Sequence, residues 1–513
     1  MPSLRKSLKI RHKPRRRTRR DIHTPDSPCA ARDFAVPLPS KSRTSKHTDN
    51  MKRSLLSALC LAALTCAAQS TDAPTLASAY NDFAFDFFQR IESEHVDENL
   101  ILSPLSAQFA LSMLQNGAAG TTLAEIQQAL HTSAFSPSDV NRYNRALINS
   151  LQKEPEIEDY YREEMEAQGK NPRDNYSRVE IANGIWVCGG LPVYPDFFAT
   201  NATYYDASAE QVNFAAPETY ARLDQWAYDH THGLIPSFGL GPDDPNREMV
   251  LANALYFEGP WSWTFQPYNT KKARFTNADG STIETELMHH YGIDNYYHTD
   301  NFVMYRLYYG DDRRFYMNLY LPQHDGARLT ADEWQQLRTS GEEAEVYFYM
   351  PKFCIEDNLS LVDILKGMGV ADAFDAKAAD FSGITPSPLY VSQVNQKARI
   401  EVDEEGTAAA AITYIVNCGA DVGPDEEPQR PPRVEIRLDR PFYFSIESRD
   451  DNSILFMGHI TDLAELERRA GQQEGIEAVP VAPTAHPAYD LQGRPVTPGQ
   501  RGFTIEQGRK VVR

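Results

Sequence analysis

Side chains that could carry enzymatic chemistry are few in this chain of 513 residues. Asp229, His230 and His232 lie close together and His289-His290 follows, and carboxylate and imidazole groups are common zinc ligands. No HExxH or CxxC motif accompanies them, and no serine stands in a GxSxG motif. The sequence therefore predicts neither a metal site nor a cofactor. A hydrolase that uses these histidines is the less favoured alternative.

The segment EEGTAAAAITYIV, residues 404–416, suggests a different kind of chemistry. Read as a strand, it places Thr407, Ala409 and Ala411 on one face, so that face is small throughout its first half. Such a strand can slide between two existing strands, because its inward side chains meet a core that is already packed. We therefore expect this segment to exist in two conformations, one outside a sheet and one inside it.

The residue before the small face is also informative. Gly406 permits a backbone bend that other residues resist. The small residues that follow it are Thr407, Ala408, Ala409, Ala410 and Ala411.

The surrounding sequence supplies the elements that must position such a segment. Apolar residues recur at helical spacing from Leu76, and a second helix is predicted after Ser103, with Pro104 at its first position. Strand-like runs such as MVLANALYF and SILFMGHI then alternate with fewer helices. Clustered strands with segregated helices predict an α+β domain built on large antiparallel sheets.

The N-terminal region reads as two segments outside the folded body. Residues 1–50 hold fourteen Lys and Arg against four Asp and Glu, and Met51 then opens a short apolar run with small residues up to Ser70. This pattern is typical of a signal peptide, which functions at an N-terminus. We therefore expect translation to start at Met51, residues 51–70 to be removed, and the protein to be secreted or held at the cell surface. A lipid anchor at Cys66 is the less favoured alternative.

The C-terminal region changes composition after Leu463. Residues 464–488 become charged and then rich in Pro, Ala and Val, which predicts a linker. Residues 489–513 contain YDLQGR, a glycine and a basic strand. This ending resembles the short C-terminal sorting tails of some bacterial secreted proteins, so we expect it to direct export or surface attachment.

Several motifs together resemble one family, the serpins, from about Leu76 to Leu463. The family's early helical signature is matched by ENLILSPLSAQFALSMLQNGAAGTTLAEI. It is followed in family order by VEIANGIWV, LANALYFEGPW, YMPKFCIED, ADFSGI, ARIEVDEEGTAAAAIT and RPFYFSIESRDDNSILFMGHI. The resemblance implies an α+β serpin fold for residues 76–463, with three β-sheets, about nine helices and an exposed reactive-centre loop at about residues 404–432.

The resemblance implies that the reactive loop begins with a hinge at residues 404–411. Glu404 and Glu405 are expected to keep its root in solvent. Thr407 is expected to enter the sheet first, with its side chain turned towards the core, and the alanines from Ala408 to Ala411 follow it.

The resemblance also implies a region where the main sheet opens. Its members in this sequence are Ser103, Ser106, Asn253, Gln396 and Trp261. The family pattern has a histidine where this chain has Gln396, so an amide that both donates and accepts hydrogen bonds replaces a titratable ring. The opening region is therefore expected to lack one titratable element.

The function implied by the resemblance is that of a protease trap, not of an enzyme. A protease attacks the loop and forms an acyl-enzyme, and the freed loop enters the main sheet before hydrolysis finishes. Counting from Gly406 at the family's spacing places the cleaved bond between Ala420 and Asp421, which suggests elastase-like or papain-like proteases. The loop is longer than in short-loop members, so three other positions stay open, Val416, Cys418 and Arg430.

Charge limits the partners. The formal net charge of −20 disfavours nucleic acid, because phosphate binding needs lysine and arginine. The stretch EPEIEDYYREEMEAQ is acidic where a glycosaminoglycan activator would need a basic surface. We expect a monomer whose partner is a serine protease, with cysteine proteases as a second class. The alternative is a non-inhibitory serpin-fold binding or carrier protein, because a fold does not fix function.

Overall fold

The computed structural model describes residues 75–242, 247–407 and 431–474, together with four short strands between 488 and 512. Helix α2 begins after Ser103, whose side chain accepts a hydrogen bond from the backbone N–H of Ser106, and Pro104 takes its first position. The α-helices of the described residues are α1 (Leu76–Glu92), α2 (Pro104–Leu114), α3 (Gly120–Ala129), α4 (Pro137–Leu151), α5 (Asp159–Ala167), α6 (Pro195–Tyr205), α7 (Pro217–His230), α8 (Ala331–Leu337), α9 (Val362–Gly367) and α10 (Leu463–Glu474).

Fifteen strands form two sheets in the body of the protein. They are β1 (Leu100–Leu102), β2 (Arg178–Cys188), β3 (Ser208–Val212), β4 (Met249–Pro260), β5 (Lys271–Thr276), β6 (Thr282–His298), β7 (Phe302–Tyr309), β8 (Phe315–Pro322), β9 (Glu342–Pro351), β10 (Phe353–Ser360), β11 (Gln393–Val402), β12 (Gly406–Thr407), β13 (Arg433–Arg437), β14 (Phe442–Ser448) and β15 (Ile454–Ile460).

The sheet that carries the hinge, called here the main sheet, has six strands in the order β10-β11-β12-β4-β2-β3. Strand β4 is buried along almost its whole length, and its sequence is a nearly continuous apolar run. Helices α2 and α7 both pack against it, which explains why the run does not alternate with polar residues. This strand forms one wall of the site described below.

The second sheet has nine strands, eight of them in the order β1-β15-β14-β8-β7-β6-β9-β13, with β5 paired to β6. The long strand β6 pairs first with β5 and then with β9, and only its last residues, Tyr296 to His298, pair with β7. It therefore joins two groups of strands into one continuous sheet. Between and around the sheets lies a core rich in phenylalanine and tyrosine, and the predicted α+β class is confirmed.

The linker predicted for residues 464–488 begins instead with helix α10. Leu463 and Leu466 are buried, and α10 packs against β10. Arg469 lies 2.6 Å from Glu465 one turn earlier and 3.6 Å from Asp357 of β10. The charged composition that suggested a linker is therefore the solvent-facing side of an amphipathic helix.

The C-terminal tail contains a small sheet of its own. Its strands are β16 (Ala488–Asp490), β17 (Pro495–Val496), β18 (Phe503–Glu506) and β19 (Arg509–Val512), in the order β17-β16-β18-β19. The sorting role of this tail stays a prediction. Among the described residues, no helix combines the length and apolar character needed to span a bilayer.

Candidate functional site: the hinge of the main sheet

The first two hinge residues already lie inside the main sheet. Gly406 and Thr407 form β12, which is antiparallel to both of its neighbours. Thr407 stands opposite Val402 of β11 and Gly259 of β4. The neighbours themselves are parallel, and they pair directly farther along, at Gln393–Val250 and Val394–Leu251. The sheet is therefore parted at one end, with the hinge between the two strands, and closed beyond it.

Thr407 is fully buried, and its hydroxyl lies 2.6 Å from the phenol oxygen of Tyr309. Tyr309 is also buried, and the indole of Trp261 stacks on it with ring centroids 4.4 Å apart. Burial raises the pKa of Tyr309, so the phenol stays neutral and can share a proton with the threonine. The Thr407 hydroxyl is thus buried beside stacked aromatic rings and has the phenol of Tyr309 as its hydrogen-bond partner.

Gly406 is required here by a close approach and not by the bend that the sequence suggested. A Cβ atom at this position would lie 2.2 Å from the carbonyl oxygen of Gly259 and 2.8 Å from the Cα of Pro260. Neither atom belongs to a side chain that could move away. The glycine therefore allows the hinge to pack directly against the backbone of β4.

The turn that leads into β12 is held by Asp403. Its carboxylate accepts hydrogen bonds from the backbone N–H groups of Glu405, at 2.8 Å, and Gly406, at 3.1 Å. Its own N–H donates to the carbonyl of Gly406 at 3.1 Å. Aspartate side chains commonly stabilise turns in this way, and here the turn reverses the chain from β11 into β12.

The residues from 403 to 405 are also held from outside through their carbonyl groups. The indole N–H of Trp261 donates to Asp403 at 2.9 Å, and the backbone N–H of Trp261 donates to Glu405 at 2.8 Å. The backbone N–H of Phe265 donates to Glu404 at 3.0 Å. Three successive carbonyls are thus bound by one short segment, which fixes the position of the turn.

Glu404 does not keep the root of the hinge in solvent, which corrects the sequence-based expectation. Its side chain is only 12% exposed, and its carboxylate lies 2.9 Å from the ammonium of Lys352 and 2.8 Å from the hydroxyl of Thr270. Burial opposes ionisation of Glu404, but the hydrogen bonds from these two groups outweigh it and lower its pKa. The acid is therefore a fixed anion that ties the hinge to Lys352, between β9 and β10, and to Thr270, just before β5.

Glu405 is half-buried as well, but its side chain meets no cation within the described residues. Burial and the neighbouring charges of Asp403 and Glu404 raise its pKa. The two adjacent acids therefore have opposite electrostatic roles at the turn. One is stabilised as an anion, and the other is destabilised as an anion.

Four of the five predicted sheet-opening residues meet at the start of α2, whereas Trp261 lies at the hinge. The side-chain amide of Gln396 in β11 both accepts from the N–H of Ser103, at 3.0 Å, and donates to its carbonyl, at 2.6 Å. The hydroxyl of Ser106 donates to the side-chain oxygen of Asn253 in β4, and Asn253 donates to Asn183 of β2 at 2.7 Å. Strands β11 and β4 are therefore each tied to the same helix end.

Comparison with known proteins identifies the family. Residues 78–463 match the family model described as Serpin (serine protease inhibitor). The chain belongs to the serpin family. An uncharacterized serpin-like protein of Methanosarcina mazei is 30% identical over 414 residues, which cover 77% of this chain and 89% of that protein. Serpin A3-6 of Bos taurus is 31% identical over 409 residues, which cover 77% of this chain and 90% of that protein.

Solved structures confirm the serpin fold. The native state of Tengpin, a thermophilic serpin, aligns with a TM-score of 0.64 at 26% identity, covering 77% of this chain and 96% of Tengpin. A thyroxine-binding globulin complex with thyroxine aligns with a TM-score of 0.62 at 24% identity, covering 75% of this chain and 99% of the globulin. The second likeness shows the fold alone. Serpins are generally protease inhibitors and not enzymes.

Several predicted residues of this serpin lie outside the described residues. They are the hinge alanines Ala408, Ala409, Ala410 and Ala411 and the candidate cleavage positions Val416, Cys418, Ala420, Asp421 and Arg430. The predicted reactive loop is thus described only at its two ends, Glu404–Thr407 and from Pro431 onward.

The histidines considered for a metal site have other roles. His232 lies 3.0 Å from the carboxylate of Glu180, and His290 packs edge-on against Trp263 with ring centroids 3.7 Å apart. Burial lowers the pKa of His290 to about 3, so it is neutral. Within the described residues no group of three His, Cys, Asp or Glu side chains could hold a metal ion.

Sequence reasoning missed three residues of the site: Tyr309, Lys352 and Asp403. Tyr309 is 98 positions from Thr407 and gives no local signal of the contact. Lys352 stands in the YMPKFCIED motif, and the sequence around this lysine does not indicate that it pairs with Glu404. Asp403, two residues before Glu405 and three before Gly406, could have been found as a turn signal.

Proposed function

We propose that this serpin is a secreted suicide inhibitor of serine proteases, with papain-like cysteine proteases as a second class of target. The proposal rests on the position of β12, which already lies between β4 and β11. Beyond it, β4 and β11 run parallel and make only two direct pairs, Gln393–Val250 and Val394–Leu251. A strand that continued from Thr407 would replace these pairs with two antiparallel ladders.

The proposed reaction begins with attack of the protease nucleophile on a loop carbonyl. The nucleophile forms an ester or thioester with the residue before the cleaved bond, and the amine of the following residue leaves. The loop N-terminal to the cut then extends β12, carrying the tethered protease with it. Addition of a strand to a sheet is a known recognition mode for which serpin loop insertion is itself a standard example.

The energetics favour this sequence of events. Each added backbone hydrogen bond contributes on the order of 1 kcal/mol, and buried apolar surface adds about 25 cal/mol per Å². Over about a dozen inserted residues the sum is comparable with the roughly 5–15 kcal/mol that stabilises a typical protease. The small side chains from Ala408 to Ala411 limit the steric cost of inserting the first residues of the loop.

A panel of serine and cysteine proteases provides the test. An inhibitor forms a covalent complex that survives denaturing electrophoresis, whereas a serpin-fold carrier is cut without forming one. The fragment released from a trapped complex should start at Asp421 in mass spectrometry. If every protease in the panel cleaves the loop without a covalent band, the inhibitory proposal is wrong and the carrier alternative is favoured.

Secretion is the second part of the proposal, and it rests on the signal-peptide pattern after Met51. Material collected outside the producing cells should begin shortly after Ser70 when its N-terminus is sequenced. Recovery of exported protein that still carries residues 1–50 would contradict the proposed start. Deleting residues 489–513 should alter export or surface attachment, and unchanged localisation would count against a sorting role.

A further inference from the structure

A cavity of about 270 Å³ lies beside Trp261, the residue whose indole binds the hinge turn. Its walls come from β6, from β7 and the turn after it, and from the connection between β4 and β5. An isolated bridge pairs Trp261 with Tyr309 at the end of β7, so this connection joins the second sheet to a strand that flanks the hinge. The cavity therefore lies next to a point where the two sheets meet.

The walls of the cavity are mostly aromatic. Trp263 is 52% exposed, and its ring stands edge-on to the imidazole of His290. Planar aromatic molecules pack well against such rings, in stacked or edge-on arrangements. The ring-bearing lining residues are Trp261, Trp263, His290, Tyr291, Tyr305 and Tyr308. A half-exposed indole beside a cavity of this composition indicates a flat aromatic ligand.

Two lining residues have buried polar atoms whose hydrogen-bonding capacity is unused. The Nδ1 atom of His290 meets no hydrogen-bond partner within the described residues. The same holds for Nη2 of Arg306, although the Nε atom of that side chain donates to Asn318 at 2.8 Å. Buried polar groups are nearly always paired in folded proteins. A neutral imidazole donates from one of its nitrogens, so a ligand that carries an oxygen beside its ring would give His290 a partner.

The charged lining residues favour an anion. They are Asp294, Arg306 and Arg313. The carboxylate of Asp294 already accepts a hydrogen bond from the Tyr305 hydroxyl at 3.1 Å. Arg313 is exposed and makes no ion pair within the part of the chain that the structure describes, and its guanidinium carbon lies 5.7 Å from the ring centroid of Tyr308. An arginine without an ion-pair partner is well suited to bind a carboxylate.

We propose that this cavity binds a small planar aromatic carboxylate. The ring packs against Trp263, the carboxylate pairs with Arg313, and His290 supplies an uncharged hydrogen-bonding group. The site does not depend on protease inhibition, so the inference goes beyond the proposed function.

Binding at this site is linked to the hinge through Trp261. The indole that lines the cavity also donates to the carbonyl of Asp403, and it stacks on Tyr309, which bonds to Thr407. A ligand that restrains this indole therefore favours the arrangement in which the hinge turn is held. The linkage is reciprocal, so loosening of the hinge weakens the ligand by the same factor.

Calorimetric titration of the full chain with 2-naphthoate, a two-ring aromatic carboxylate, tests the site. We expect saturable binding to the parent and at least a tenfold loss of affinity in Trp263→Ala and in Arg313→Gln. Tyr268→Ala is the matched control, because Tyr268 is an exposed aromatic residue, at 78%, in the same connection and outside the cavity lining. Thermal unfolding checks that each variant is folded. Absence of binding to the parent, or affinities within twofold of the parent in both variants, overturns the proposal.

The neutral analogue 2-naphthamide separates the contribution of the carboxylate from that of the ring. It should bind the parent at least tenfold more weakly than 2-naphthoate, and the two probes should bind Arg313→Gln with similar affinity. Equal affinities of the two probes for the parent overturn the assignment of an anionic ligand.

Hydrogen exchange measures the link to the hinge. Saturating 2-naphthoate should slow amide exchange of residues 403–407 at least twofold in the parent. It should not do so in Trp261→Phe, which keeps a ring at this position but lacks the indole N–H that binds Asp403. Unchanged exchange in the parent overturns the link. No protease is present in these measurements, so failure of the inhibitory proposal leaves their outcome intact.

Discussion

The main sheet is held at two places along strands β4 and β11, and the two are built differently. At the hinge, the chain that enters the sheet makes the contacts itself. Asp403 accepts a hydrogen bond from Trp261, Glu404 pairs with Lys352, and Thr407 bonds to Tyr309. At the start of α2, the contacts involve none of the described hinge residues, Glu404 to Thr407. There Gln396 and Asn253 tie the two flanking strands to a helix. In the proposed mechanism, the hinge contacts fix where insertion starts, whereas the helix contacts resist its progress.

Because of this difference, a substitution can act either on the start of loop insertion or on the later separation of β11 from β4. Changes at the hinge should alter both the native state and the first step of insertion, because the hinge residues are already buried. Changes at Gln396 should leave the hinge in place and alter only the separation of β11 from β4. The predictions below test this division, beginning with the largest expected effect.

Replacing Thr407 by arginine should abolish trapping. The charge would replace a fully buried hydroxyl whose partner is the phenol of Tyr309, and an unpaired buried charge costs about 3–5 kcal/mol. Since Thr407 is buried before cleavage, the variant should also lose native stability, unlike a change that affects insertion alone. Electrophoresis should show cleaved loop, active protease and no covalent complex. Thr407→Ser, which keeps the hydroxyl, should trap protease nearly as well as the parent, and equal trapping by Thr407→Arg would show that insertion does not begin here.

Replacing Gly406 by alanine should expel the hinge or strain β4. The added methyl would lie 2.2 Å from the carbonyl oxygen of Gly259, and overpacking of this kind costs about 1–3 kcal/mol. Denaturant unfolding measures the loss. Gly292→Ala in β6 is the control, because the nearest atom to its Cβ would be 3.6 Å away. Similar stabilities for the two variants would mean that the hinge does not pack against β4 as described.

The two acids of the turn should respond to pH in opposite directions. The folded-state pKa of Glu404 is lowered, so its contribution is present above its ordinary pKa of 4.5 and is lost as the pH falls through the folded value. Glu404→Gln should therefore destabilise the protein at pH 7 by about 1 kcal/mol and have less effect in acid. The folded-state pKa of Glu405 is raised, so folding disfavours its charge, and Glu405→Gln should stabilise the protein at pH 7. Unfolding curves between pH 3 and 7 for both variants check the signs, and a shared direction would contradict the assignment.

Replacing Gln396 by histidine should have the smallest effect at neutral pH. A neutral imidazole can take over one of the two bonds to Ser103, so we expect a loss of about 1 kcal/mol. Protonation would then remove the ring's acceptor and make trapping depend on pH between 5.5 and 7.5. The parent and Gln396→Glu serve as comparisons, and the readout is the ratio of trapped to cleaved inhibitor. A flat profile for Gln396→His would show that this position does not control opening.

The fold was predictable because its signals are local or repeated. The run MVLANALYF indicated a strand, and the small face of residues 407–411 indicated a chain that could enter a sheet. The partners at the hinge were not predictable in the same way. The contact of Thr407 with Tyr309 and that of Glu404 with Lys352 join distant parts of the chain. Each depends on strand register, which composition does not encode.

The role of Gly406 shows a second limit of sequence reasoning. Glycine beside a predicted hinge was interpreted as freedom to bend, but the structure uses its missing side chain to bring two backbones together. Both roles require glycine, so the sequence alone does not distinguish them. The acids at positions 404 and 405 were interpreted as solvated for a similar reason, since a charged residue shows its ion-pair partner only once the fold places one nearby.

The stacking of Trp261 on Tyr309 places an intrinsic fluorophore, the indole ring, next to the hinge. The chain has five tryptophans, and this one donates its indole proton to the turn that carries the hinge while its ring covers the tyrosine that holds Thr407. Any movement of the hinge changes both the hydrogen bond and the solvent around that indole. Its emission should therefore follow hinge entry and exit in real time, so that loop movement and protease capture can be timed separately in a single stopped-flow trace.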